Sequence, residues 1–68
     1  MDINLELYKI FYYVVKAGSI SGASQELYIS QPAVSQAIKK LESRLGGQLF
    51  TRAPKGIVLT PEGEVLYK

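Results

Sequence analysis

Between Gln31 and Leu45 the apolar residues Val34, Ile38, Leu41 and Leu45 recur at spacings of four and three, which lines them along one side of an α-helix. The opposite side collects Pro32, Ser35, Gln36, Lys39 and Ser43, small or polar near the start and cationic a turn later. Ser30 is a suitable N-cap, because its hydroxyl can accept from the free N–H groups of a first turn, and Pro32 falls where a missing N–H does no harm. Gly46 and Gly47 follow Leu45 and can adopt the left-handed conformation that closes a helix. The pattern predicts one amphipathic helix from about Gln31 to Leu45, whose polar first two turns are free to enter something else.

The same periodicity organises the flanks. Asn4 can cap a first helix running to about Ala17, with Leu7, Phe11, Val14 and Val15 as its apolar stripe and Lys9 and Lys16 on the far side. Tyr8, Tyr12 and Tyr13 are expected to pack with wet hydroxyls rather than to form a platform for stacking bases. Gly18 ends this helix. Ser19 or Ser21 starts a short second one, in which Ile20, Ala23 and Leu27 face inward while Gly22 and Ser24 are small enough for another helix to approach. Tyr28 and Ile29 make the turn into Ser30.

Beyond Gly46 the period changes. Residues Gln48 to Arg52 alternate, Ala53-Pro54-Lys55-Gly56 interrupts the chain, and Ile57-Val58-Leu59 is a short β-branched run, which together read as a hairpin with Arg52 and Lys55 at or beside its tip. Long cations there can reach phosphates or a minor groove. Thr60 followed by Pro61 is an N-cap with proline in the first turn, so a fourth helix starts and is cut at Lys68, with Val65 and Leu66 as its apolar residues. Two turns of helix do not stand alone, so the chain is expected to be part of a longer protein.

Composition narrows the function. A chain of 68 residues is one domain, of a size that buries only about 60% of its unfolded surface. With 47% hydrophobic residues it can still form a core. It has no cysteine and no histidine, which removes disulfides, thiolate or imidazole metal sites and any Ser-His-Asp arrangement, and leaves carboxylates as the acid–base candidates. Glu42, Glu62 and Glu64 are separated, so an enzyme is the weakest reading, and no metal or cofactor is expected. A reducing, cytoplasmic setting is favoured, since an unstapled domain this small is unusual outside it. No apolar run approaches the roughly 20 residues needed to cross a bilayer.

Net charge is only +2, but from Ser30 to Gly56 Lys39, Lys40, Arg44, Arg52 and Lys55 face Glu42 alone, while Asp2, Glu6, Glu26, Glu62 and Glu64 lie outside. A cationic middle between near-neutral or acidic ends suits a polyanion. Read alone, the cluster equally fits a solvated helix face with ordinary pairs such as Lys39 with Glu42.

A short helix, a three-residue turn and a longer helix with a polar N-terminal half form a helix-turn-helix pattern, and the following hairpin and fourth helix extend it to a winged helix-turn-helix. The fold class expected is mainly α with a small β-hairpin: a three-helix core, a two-stranded wing and the start of a linker helix, dividing the chain into 1–59 and 60–68. From Leu5 through Gly63 the chain also resembles the amino-terminal DNA-binding domain of LysR-type transcriptional regulators. The resemblance is carried by Ser30-Gln31-Pro32-Ala33-Val34-Ser35, Ile38, Leu41-Glu42, Leu45-Gly46, Leu49-Phe50, Arg52, Leu59-Thr60 and Gly63. Gln36 stands where that family often has arginine, Ser24 where alanine is usual, and Glu62 where a small residue is frequent.

The resemblance implies a sequence-specific, non-enzymatic binder of double-stranded DNA from a bacterial regulator. It places Gln31, Pro32, Ala33, Ser35, Gln36 and Lys39 near bases or flanking phosphates, and Arg52 in the wing. Side-chain chemistry agrees: glutamine can read adenine bidentately, serine can donate or accept, and proline or alanine can lie against a thymine methyl. Ser30, Lys40, Arg44, Arg52 and Lys55 are the phosphate and wing candidates, Ser30 serving the helix or a phosphate, and Arg52 having an internal salt bridge as its alternative. The family further implies a homodimer or higher oligomer paired through the extended fourth helix, and a small-molecule effector bound by a separate carboxyl-terminal domain. The competing reading is a winged helix that serves only protein interaction, with an apolar rather than cationic exposed patch.

Overall fold

The computed structural model describes residues 5–53 and 56–67, Arg52 by its backbone alone. The elements in chain order are α1 (Leu5–Ala17), α2 (Ile20–Leu27), α3 (Gln31–Leu45), β1 (Phe50–Ala53), β2 (Gly56–Leu59) and α4 (Pro61–Tyr67). Helices α1, α2 and α3 pack on one another. They enclose Phe11, Val14, Ala23, Val34 and Leu41, together with Leu49 from the loop after α3. Each fully buried aliphatic or aromatic side chain contributes roughly 1.5 to 3 kcal/mol, which is how a domain this small offsets the entropy of ordering.

Local signals account for the helix limits. Ser30 Oγ accepts from Ala33 N–H at 3.2 Å, and Gly46, at φ +79°, closes α3 with its N–H on the Glu42 carbonyl at 2.8 Å. In α2 the cap is Ser19, not Ser21: Ser19 Oγ accepts from Gly22 N–H at 3.0 Å. Asn4, expected to cap α1, lies outside the described residues. Ser24 is buried, and its hydroxyl donates back to the Ser21 carbonyl at 2.8 Å, so a polar group is enclosed without being stranded. Gly22 plays a more local part than expected. A Cβ there would meet Ala17 Cβ and Ser19 Oγ at 3.0 and 3.1 Å, so its small size lets α2 turn tightly off the end of α1.

The hairpin is antiparallel, pairing Phe50 with Leu59, Thr51 with Val58, Arg52 with Ile57 and Ala53 with Gly56. It begins at Phe50 rather than Gln48, because Leu49 points fully into the core while its backbone serves other partners. Gly56 fixes where the hairpin lies: a Cβ there would sit 2.6 Å from the Gly18 carbonyl oxygen, so the wing rests against the α1–α2 turn. Pro54 and Lys55, at the expected tip, lie outside the described residues.

Helix α4 is held at both ends. Thr60 Oγ1 accepts from Gly63 N–H at 3.0 Å as its N-cap, Leu66 packs on the core, and Tyr67 lies against Phe11 and Tyr12 of α1. The tyrosines of α1 are packing residues, with Tyr8 and Tyr13 half-buried and Tyr12 stacked on Tyr67.

Candidate nucleic-acid interface

Burial of Val34, Ala37, Ile38 and Leu41 orients everything else on α3. With that stripe turned inward, Gln31, Pro32, Ala33, Gln36, Lys39 and Lys40 are exposed, and Ser35 is half-buried between them. At 100° per residue these side chains form two rows, Gln31-Ser35-Lys39 and Pro32-Gln36-Lys40, each stepping by four residues along the helix. Ser30 stands at the head of both, its hydroxyl oxygen engaged by the helix backbone.

The first row faces the wing across two adjoining grooves. One, of about 370 Å³, is lined by Gln31 and Ser35, by Ser19 and Ser21 at the start of α2, and by Ala53 and Gly56 of the hairpin. The other, of about 340 Å³, joins Ser35 and Lys39 to Gln48, Phe50 and Thr51. Ile20 and Ile57 floor both. The second row looks away from these grooves into solvent. Donors and acceptors from three elements therefore surround the exposed half of α3: hydroxyls from the start of α2, amides and a lysine from α3 itself, and Thr51 from the wing.

Not every expected residue joins this group. Arg44 lies in the last turn of α3 and already interacts within the molecule. Arg52 is in β1, opposite Ile57, but its side chain and all of Lys55 fall outside the described residues. Glu42 departs from the simple pair with Lys39: its Oε2 accepts from Leu49 N–H at 2.8 Å. Conversely, the grooves bring in Ser19, Ser21, Gln48 and Thr51, which sequence reading left out. Ser19 and Ser21 carried only the signal of helix starts, and nothing local reveals that the hairpin closes over them. Among the described residues, no group of three acidic, histidine or cysteine side chains is placed to hold a metal ion, and no helix is long and apolar enough to cross a membrane.

Comparison with known proteins meets this geometry at the level of the whole domain. The family model described as bacterial regulatory helix-turn-helix protein, lysR family, matches residues 5–64. The chain belongs to the LysR family. A probable RuBisCO transcriptional regulator of Cyanidioschyzon merolae is 43% identical over 68 residues, all of this chain and 22% of that protein. The uncharacterized HTH-type transcriptional regulator YeiE of Escherichia coli K12 is 45% identical over 67 residues, 98% of this chain and 23% of YeiE. The crystal structure of a CbnR_DBD–DNA complex superimposes with a TM-score of 0.90 at 32% identity, covering 96% of this chain and 75% of that one. The fold is thus that of LysR-family DNA-binding domains, and the chain spans less than a quarter of the length of the curated relatives it matches.

Proposed function

We propose that this chain is the DNA-binding part of a transcriptional regulator, and that it binds duplex DNA by inserting the first two turns of α3 into the major groove. The observation that carries the reading is the exposure of Gln31, Pro32, Ala33, Gln36 and Lys39 on a helix whose other side is clamped by the core. A helix of about 10 to 12 Å diameter fits a major groove about 12 Å wide. Gln31, Pro32, Ala33, Ser35 and Gln36 supply base contacts, with Lys39 between bases and phosphates. Ser30, Lys40, Arg44, Arg52 and Lys55 supply backbone contacts. The regulators named above, and the relative seen bound to DNA, support this assignment.

The functional boundary falls after residue 59. Residues 1–59 make the winged helix-turn-helix, and α4 begins a linker helix that pairs two subunits in the complete protein, each occupying one half-site. A small-molecule effector acts through a further domain, and the whole regulator works inside a bacterial cell without catalysing a reaction. Selection of bound sequences from a random duplex pool, followed by titration across salt concentrations, tests the reading. The expected outcome is a defined half-site whose log affinity falls linearly with log salt at about 0.9 per phosphate neutralised. Affinity independent of salt, or failure to enrich any sequence, rejects it.

A further inference from the structure

The peptide groups of Leu49 are used by two different helices. Its N–H donates to Glu42 Oε2 of α3 at 2.8 Å, and its carbonyl accepts from Thr60 N–H, at the head of α4, at 3.0 Å. One residue earlier, the Gln48 carbonyl accepts from the Thr60 hydroxyl at 2.6 Å. That hydroxyl oxygen in turn accepts from Gly63 N–H, so Thr60 caps α4 and grips the loop at once. Gly63 presses so closely on the Leu49 carbonyl that no Cβ would fit between them. The Leu49 side chain is fully buried, which pins the junction to the core.

These contacts make a short chain of links from α3 through Glu42, Leu49 and Thr60 to α4. What they lock on the α4 side is the loop, not α3 itself. The Glu42 carboxylate is a polar tie between this loop and α3, added to the burial of the Leu49 side chain in the core, across the Gly46-Gly47 segment. The N–H groups of Gly46 and Gly47 both bond the Glu42 backbone carbonyl, so the stretch that the carboxylate steadies is the one beyond them, at Gln48 and Leu49. The far end of α4 rests on α1 through Tyr67, so the Leu49 junction decides where α4 starts.

We infer that Glu42 is a positioning residue that fixes the fourth helix relative to the recognition helix, and thereby the half-site separation that a pair of subunits accepts. In a two-fold dimer the spacing of half-sites follows from the geometry between each recognition helix and the dimer axis. The inference rests on the proposed DNA binding and on pairing through α4. Glu42 also lines the second groove, so its positioning role is isolated by comparing Glu42→Ala with Glu42→Gln, which lose the same charge.

The test uses the full-length protein and duplexes carrying either one half-site or two half-sites whose separation changes by single base pairs. Glu42→Ala should bind a single half-site within about threefold of Glu42→Gln, which loses the same charge, while its preference for the best spacing over its neighbours falls by up to about tenfold, the scale of one lost hydrogen bond. Glu42→Gln keeps an oxygen acceptor and should restore the wild-type spacing profile. An unchanged profile in Glu42→Ala overturns the inference, as does an equal loss on single and paired sites. Should Glu42→Ala fail to fold, Thr60→Val opens the same junction from the other side and must flatten the spacing profile; if it does not, the inference falls.

A second arm needs no DNA. These 68 residues contain no cysteine, so, with any cysteine elsewhere in the full-length protein replaced by serine, spin labels can be placed at exposed Ser43 and Val65 through Ser43→Cys and Val65→Cys. Glu42→Ala should broaden the distance distribution between them and Glu42→Gln should not. A wild-type protein that binds no duplex would reject the proposed function, while the label distances would still decide the role of Glu42.

Discussion

The ring of Tyr67 stacks on that of Tyr12, with centroids 5.6 Å apart and planes inclined by 27°. Tyr67 also meets Phe11 edge-on at 6.4 Å. Helix α4 has seven residues, too few to persist without tertiary support, so these rings are what hold its far end on α1. Tyr67→Ala should destabilise the domain by about 0.5 to 1.5 kcal/mol. Hydrogen exchange should show the loss concentrated in α4, with the amides of α3 keeping their protection; uniform loss across all helices would contradict the local role.

Tyr28 stands in the turn between α2 and α3 at φ 58° and ψ 38°, with 93% of its surface exposed. A left-handed backbone costs a residue with a Cβ roughly 1 kcal/mol, and asparagine or glycine bears it more easily. The ring gains no burial in return. Tyr28→Asn should therefore raise stability by about 0.5 to 1 kcal/mol, seen as a higher midpoint in urea with an unchanged slope. A fall in the midpoint would mean that the ring has packing worth more than the strain.

Helix limits were legible wherever the stop or start signal lay within a few residues of the helix it ends. Ser30 and Gly46 bounded α3, Gly18 ended α1, and Thr60-Pro61 opened α4. The outward face of α3 was legible for the same reason, since burial of Val34, Ile38 and Leu41 leaves Pro32, Gln36 and Lys39 no other side to occupy. What escaped the sequence depends on contacts between distant segments. Leu49 looked like part of an alternating strand, yet the core takes its side chain, and its backbone is held by two polar groups, the Glu42 carboxylate of α3 and the Thr60 N–H at the head of α4. The grooves beside Ser19 and Ser21 exist because Gly56 comes up against Gly18, an approach that no local spacing encodes. Glu42 had an obvious neighbour in Lys39 three residues earlier, and the partner it uses is the amide seven residues on.

Gly63 is the tightest point of that arrangement. A side chain added there would run into the Leu49 carbonyl oxygen and, at 2.8 Å, into Leu59 Cδ2. The carbonyl cannot retreat without giving up its bond from Thr60 N–H. Although alanine favours a helix over glycine by about 1 kcal/mol, Gly63→Ala should destabilise by about 1 to 3 kcal/mol because overpacking wins. For a domain of this size that lowers the melting temperature by roughly 4 to 8 °C per kcal/mol. A neutral or stabilising effect would show that α4 shifts freely against the loop, and would also weaken the case for a rigid junction at Leu49.

Gln31 and Lys39 share one row of α3, two turns apart, but their chemistry separates their roles at a DNA surface. Glutamine offers a donor and an acceptor in one plane and can match adenine edges, so Gln31→Ala should change discrimination between related half-sites by about 1 to 3 kcal/mol. Lysine presents a mobile point charge whose attraction to phosphates is indifferent to sequence. Lys39→Ala should therefore weaken all duplexes by a similar factor and reduce the slope of log affinity against log salt by about 1. Fluorescence anisotropy on a small panel of single-base variants, repeated at several salt concentrations, separates the two effects. If Lys39→Ala instead altered the ranking of sequences with the salt slope intact, Lys39 would be reading a base, most naturally guanine O6 and N7, and the base-reading part of α3 would extend a full turn beyond Ser35.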